Sequence, residues 1–102
     1  MSPKSEKLFI YGTLREPEIQ KKAFGRIAGG VADLLKGYKN GETVIKGEKY
    51  PIIVPDKKSV VEGLLIEVSS EELGVLDKYE AEYERVEVVL ESGVRAWVYM
   101  LK

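Results

Sequence analysis

Glu80 stands where an amphipathic helix would carry an apolar residue. Ser69-Ser70-Glu71-Glu72 has the form of a capping box, in which the Ser69 hydroxyl accepts from the backbone three residues on and Glu72 reaches back. A helix begun there sets Leu73, Leu76 and Glu80 at i, i+3 and i+7, on one face. A carboxylate turned inward with two leucines loses water, which disfavours its charged form and raises its pKa. That tuning suits general acid/base work. The same letters admit a plainer arrangement, in which the helix ends near Tyr79 and Glu80 is one more solvated acid among fourteen glutamates. Spacing alone favours the plainer one.

A second constellation is Tyr11-Gly12-Thr13-Leu14-Arg15. Gly12 removes a side chain from the end of an apolar strand, so successive N–H groups can converge on an anion or a carbonyl oxygen. A helix following soon after adds its positive end. Alone, Y-G-T reads as a strand leaving its sheet through a turn, with Arg15 in solvent. Paired with an inward carboxylate it becomes half of an electrostatic site.

Composition narrows the chemistry further. The 102 residues contain no histidine and no cysteine. Imidazole bases, Ser-His-Asp triads, thiolate nucleophiles, disulfides and His/Cys metal sites are therefore excluded. Carboxylates, tyrosines, lysines, hydroxyls and backbone amides remain, and no cofactor or metal is expected. Sixteen basic and seventeen acidic residues leave a net charge of −1, and without a basic run nucleic acid is not an expected partner. Leu8-Phe9-Ile10-Tyr11 is too short for a signal-peptide core and follows Lys4, Glu6 and Lys7. No apolar stretch approaches membrane-spanning length. The expectation is a soluble cytoplasmic protein with residues 1–102 forming one domain around one core. Lys and Glu are abundant while Asn and Gln occur once each, a bias of heat-adapted proteins.

Short strands and two helical pieces must position these groups. Lys7–Tyr11 reads as a strand stopping at Gly12-Thr13, and Glu16–Phe24 as a short helix with Pro17 in its first turn. Ile27–Tyr38 holds one or two strands. Thr43–Lys46 and Tyr50–Val54 are strands separated at Gly47-Glu48 and closed by Pro55-Asp56. Val60–Val68 is a longer strand in which Gly63 marks a bulge or a close backbone approach. Tyr83–Leu90 and Arg95–Leu101 form a hairpin around Glu91-Ser92-Gly93-Val94. The fold class is α+β, a small mixed β-barrel of about six short strands with two or so short helices.

An ordered set of motifs runs through nearly the whole chain: Tyr11-Gly12-Thr13-Leu14, Tyr50-Pro51-Ile52-Ile53-Val54-Pro55, Val61-Glu62-Gly63-Leu64-Leu65, Leu76-Asp77-Lys78-Tyr79-Glu80 with Tyr83 and Arg85, and Ala96-Trp97-Val98-Tyr99. It resembles the gamma-glutamylcyclotransferase-like family, in the branch of gamma-glutamylamine cyclotransferases and avirulence-induced proteins. The resemblance implies the same small barrel. It implies that the Tyr11–Leu14 loop lends amides to a gamma-glutamyl group and that Glu80, in the L-D-x-Y/F-E motif, is the general acid/base. The implied reaction is intramolecular: the free α-amine attacks its own γ-carbonyl, closing 5-oxoproline and releasing the attached amine or amino acid. Such a reaction needs no Ser, Cys or His nucleophile, because the nucleophile belongs to the substrate.

Tyr83 and Tyr99 match pocket aromatics of that family and either donate a hydroxyl to substrate or are core tyrosines with satisfied hydroxyls. Arg85 is expected to pair with Glu82 or Glu87 across a strand surface, or to steer a carboxylate. Tyr50-Pro51 shapes a pocket wall or simply begins a strand, and Trp97 plugs the last strand. The alternative to an enzyme is a non-catalytic relative that binds a small carboxylated ligand or a protein. The leaving group and the oligomeric state have no readable code.

Overall fold

The computed structural model describes residues 5–102. Strand β1 (Ser5–Ile10) passes through a single 3-10 turn (Thr13–Arg15) into helix α1 (Pro17–Phe24). A long hairpin follows, β2 (Gly30–Ile45) and β3 (Glu48–Ser69), then helix α2 (Ser70–Tyr79) and a second hairpin, β4 (Tyr83–Val89) and β5 (Arg95–Leu101). Among these residues no helix is long and apolar enough to cross a membrane.

Both helices form where the local chemistry starts and stops them. Pro17 opens α1 with its φ already helical, and Gly25, at φ 85°, ends it by donating its N–H to Lys21 O at 3.0 Å. The capping box of α2 is complete: Glu72 N–H donates to Ser69 Oγ at 3.0 Å, and Ser69 N–H donates to Glu72 Oε1 at 2.8 Å. Arg26 Nη2 also donates to Glu72 Oε1 at 2.8 Å, tying the start of α2 to the exit of α1. That guanidinium holds the Glu72 carboxyl below its usual pKa.

The five strands form one sheet in the order β2-β3-β1-β5-β4, with β1 antiparallel to β3 and parallel to β5. The sheet curls into a half-barrel. Its opposite edges meet beside the β4–β5 turn, where Glu91 N–H donates to Leu34 O at 2.8 Å and Ser92 Oγ donates to Asp33 Oδ2 at 2.6 Å. Alternation along β1 builds both sides of the core. Leu8 and Ile10 pack with Ile66, Val68, Leu73 and Leu76 under the helices. Phe9 and Tyr11 pack with Leu35, Val61, Leu90 and Val98 on the other face.

Strand number departs from the sequence expectation. Five strands replace six, because the segments separated at Tyr38 and at Pro55-Asp56 are continuous in β2 and β3. The turn residues are used for a bulge instead of a strand end. Tyr38 pairs with Pro55 and Lys36 with Val60, so Gly37 alone, at φ 88°, faces Asp56–Ser59. The hairpin turn itself falls at Gly47, at φ 83°, as its sequence indicates. Gly63 is a close approach: an added Cβ would collide with the Ile10 carbonyl oxygen and lie 2.6 Å from Phe9 Cζ.

Candidate active site

The Gly12 loop is built by what precedes and follows it. β1 ends with Tyr11 buried, and Gly12 stands against Pro51, whose Cγ would be 3.3 Å from any added Cβ. In the turn that follows, Arg15 N–H donates to Gly12 O at 3.1 Å and Glu16 N–H to Thr13 O at 2.9 Å. The N–H groups of Gly12, Thr13 and Leu14 precede those bonds and donate to no group among the described residues. They are the orphan donors of a helical start. Gln20, almost fully buried, fixes the loop from behind. Its Nε2 donates to Leu14 O at 2.9 Å and its Oε1 accepts from Ala28 N–H at 2.8 Å. Neither bond is visible in a sequence, and Gln20 has no place among the expected residues.

Helix α2 delivers the carboxylate. Leu73 and Leu76 are buried as their spacing requires, and the helix does end at Tyr79. Glu80 is nonetheless only partly exposed. As the C-terminal cap, at φ −98° and ψ 46°, it extends the last turn by donating N–H to Leu76 O at 2.8 Å, and its own carbonyl accepts from Tyr83 N–H at 2.9 Å. The side chain is half-buried, and its carboxylate has no hydrogen bond or ion pair among the described residues. Burial pushes its pKa up. Glu82 and Glu84 are exposed.

Glu80, the Tyr11–Leu14 loop, Tyr50, Pro51, Tyr83 and Tyr99 line one cavity of about 440 Å³ together with Lys49 and Glu82. A wider cleft of about 1260 Å³ lies across Gly12 and shares Tyr11, Thr13, Lys49 and Pro51, but it contains neither Glu80 nor Tyr99. The acid and the free amides meet only in the smaller one.

Three tyrosine hydroxyls surround the acid with their protons already committed. Tyr11 OH donates to Tyr99 O at 2.6 Å, Tyr83 OH to Pro51 O at 2.7 Å, and Tyr99 OH to Asp77 Oδ1 at 2.8 Å. Burial is the main cause raising all three pKa values, that of Tyr83 to about 12, with the Glu80 charge contributing to each and the Asp77 hydrogen bond contributing more at Tyr99. At neutral pH they are therefore neutral groups whose remaining capacity is to accept. The pocket divides into an acceptor side, Glu80 and the phenol oxygens, and a donor side, the loop amides.

Several neighbouring roles differ from expectation. Arg85 pairs with neither Glu82 nor Glu87. Its Nε and Nη2 donate to Asp77 Oδ1 and Oδ2 at 2.7 and 3.1 Å, because β4 pairs it with Tyr99 and turns it toward the end of α2. Its guanidinium lies 4.7 Å from the centre of the Trp97 ring, so the tryptophan is more than a plug. Glu87 faces Arg95 instead, at 3.7 Å. Tyr50 forms pocket wall, its ring 6.3 Å from that of Tyr83. Arg15 Nε donates to Gly12 O at 3.3 Å.

Comparison with known proteins places this arrangement. The family described as gamma-glutamyl cyclotransferase, AIG2-like, matches residues 8–102. The chain belongs to that family. Among its AIG2-like relatives, AIG2-like protein C of Arabidopsis thaliana is 38% identical over 87 residues, which cover 81% of this chain and 49% of that protein. Protein AIG2 C of the same plant is 38% identical over 88 residues, covering 84% of this chain and 52% of that one. This gamma-glutamyl cyclotransferase-like chain thus spans about half the length of the curated relatives it matches. A solution structure from Arabidopsis thaliana superposes with a TM-score of 0.80 at 33% identity, over 98% of this chain and 64% of that one. A structure titled gamma-glutamyl cyclotransferase superposes with a TM-score of 0.81 at 16% identity, over 97% of this chain and 68% of that one, and shares the fold.

Proposed function

We propose that the pocket cyclises a gamma-glutamyl group to 5-oxoproline and releases the attached amine or amino acid. The observation that carries this reading is an unpaired, desolvated Glu80 carboxylate sharing a cavity of about 440 Å³ with the free amides of Gly12, Thr13 and Leu14. A gamma-glutamyl group brings an α-ammonium and a γ-carbonyl, one matching each side of the pocket.

The chemistry follows from that division. Glu80 takes a proton from the α-ammonium, freeing the lone pair that attacks the γ-carbonyl carbon. The cavity walls hold the flexible glutamyl chain folded for attack, which replaces an entropic barrier with binding. Charge develops on the γ-oxygen, where the loop amides donate to it. As the tetrahedral centre collapses, protonated Glu80 gives its proton to the leaving nitrogen. The second proton of the ring nitrogen follows the same route. The bond to the leaving nitrogen breaks, the ring keeps one N–H, and the amine departs as an ammonium. Glu80 returns to its charged form.

The test is to incubate the protein with a panel of gamma-glutamyl amines, gamma-glutamyl amino acids and glutathione, and to measure 5-oxoproline. Release from at least one class supports the reading, with the preferred class naming the leaving group. Binding without 5-oxoproline release would leave a non-catalytic receptor for the same ligands.

A further inference from the structure

The Tyr99 hydroxyl is aimed by contacts that run out of the pocket. Tyr99, on β5, lies opposite Arg85 of β4. Its hydroxyl donates to Asp77 Oδ1 at 2.8 Å, and Arg85 grips both Asp77 oxygens. Asp77 is on the last turn of α2, three residues before Glu80, yet it does not line the cavity. A phenol has one proton. While Asp77 holds it, Tyr99 can only accept from whatever occupies the pocket.

Arg85 makes that orientation one-way. Two charge-assisted hydrogen bonds in a fork fix the carboxylate in plane, so it offers nothing but acceptors to Tyr99. An α-ammonium has three N–H donors, and the cavity offers it the carboxylates of Glu80 and the more exposed Glu82 alongside the neutral phenols. We propose that Asp77, clamped by Arg85, is a positioning residue that makes the Tyr99 hydroxyl an obligate acceptor for the α-ammonium of a bound glutamyl group. The inference rests on the gamma-glutamyl reading above and deepens it.

The experiment measures binding by titration calorimetry with two probes, L-glutamine and 4-carbamoylbutanoate, which is the same γ-amide without the α-ammonium. The chains are the parent, Asp77→Ala, Tyr99→Phe and the double variant. Tyr99 and Arg85 Nε share Asp77 Oδ1, so an asparagine oxygen there would still accept from the phenol. Asp77→Ala removes the acceptor and leaves Arg85 only able to donate to the Tyr99 oxygen, so the phenol proton turns toward the pocket. Each single variant is expected to weaken L-glutamine about tenfold or more, the loss of one hydrogen bond to a charged group. Neither should change 4-carbamoylbutanoate. The double variant should be no weaker than the worse single one, because both act through one contact. Equal losses for both probes would indicate a merely structural role and overturn the proposal. Losses that multiply in the double variant would also overturn it, as would a parent that does not bind L-glutamine. Tyr99→Phe leaves the Asp77–Arg85 pair intact and decides the matter if Asp77→Ala folds poorly. Failure of the parent to release 5-oxoproline is a separate result. It removes the cyclotransferase reading and leaves the binding comparison standing.

Discussion

Gln20 and Leu14 are joined, out of contact with water, by a hydrogen bond of 2.9 Å from the Gln20 amide to the Leu14 carbonyl. The same side chain accepts from Ala28 N–H, so one glutamine clamps both ends of the α1 segment and the loop that carries the free amides. Gln20→Leu keeps the volume and removes both bonds, stranding a buried carbonyl and a buried N–H. The expected cost is about 2–6 kcal/mol of stability, at about 1–3 kcal/mol for each of the two unsatisfied groups, read by urea unfolding. A cost near zero would mean that the loop re-pairs locally.

Glu80→Gln preserves size but cannot take a proton from an ammonium. Turnover should fall about 10²–10⁴-fold, the usual range for general acid/base help, while Glu82→Gln and Glu84→Gln change little because both side chains are exposed. Steady-state 5-oxoproline release on the three variants checks this. If Glu82→Gln were the crippled enzyme, the base would have been assigned to the wrong residue.

The pH profile should carry the same burial. A base works deprotonated, so kcat/KM should fall toward acid through a limb above the ordinary glutamate value of about 4.3, since desolvation raises the Glu80 pKa. Stability moves oppositely. Between the unfolded and folded pKa values the native state binds more protons, so this group's contribution declines as pH rises through that window. Glu80→Gln should therefore melt higher than the parent at neutral pH, with the gap closing below about pH 4. Thermal melts of both proteins across pH decide it, and a variant less stable than the parent at pH 7 contradicts the desolvation argument.

Ser69→Ala removes the acceptor for Glu72 N–H at the start of α2. The expected loss is about 1 kcal/mol, lowering Tm by about 4–8 °C in a domain of this size. Differential scanning calorimetry measures it. An unchanged Tm would mean that Glu72 and Arg26 alone secure the helix start.

What was legible in the chain was local. The Ser69–Glu72 box, Pro17 in the first turn of α1, the Gly47 turn and the β4–β5 hairpin each depend on residues within a few positions of one another. Glu80 was legible as an acid on a leucine face, although its burial comes from a cap conformation that periodicity does not encode. The failures were contacts across the chain. Arg85 chose Asp77 over nearer acids because strand pairing turns it toward α2. Gln20 reached Leu14 and Ala28 through a loop whose path no pattern states. Pro55-Asp56 looked like a strand end and became a bulge, because pairing with β2 resumes beyond it at Val60.

β1 lies at the centre of the sheet, yet it precedes every partner it needs. Its antiparallel neighbours run from Leu64 to Ser69 and its parallel contact is at Trp97. A growing or refolding chain must therefore hold Leu8-Phe9-Ile10-Tyr11 unpaired until β3 is in place, and paired on one side only until β5 is. Non-local pairing of this kind slows folding toward milliseconds to seconds, because loop closure precedes the contacts that reward it. The Gly12 loop hangs from that central strand, and Glu80 sits at the end of a helix packed against it. Ligand binding is accordingly a reporter of complete folding: stopped-flow recovery of binding should coincide with the slowest structural phase, with no earlier species able to bind.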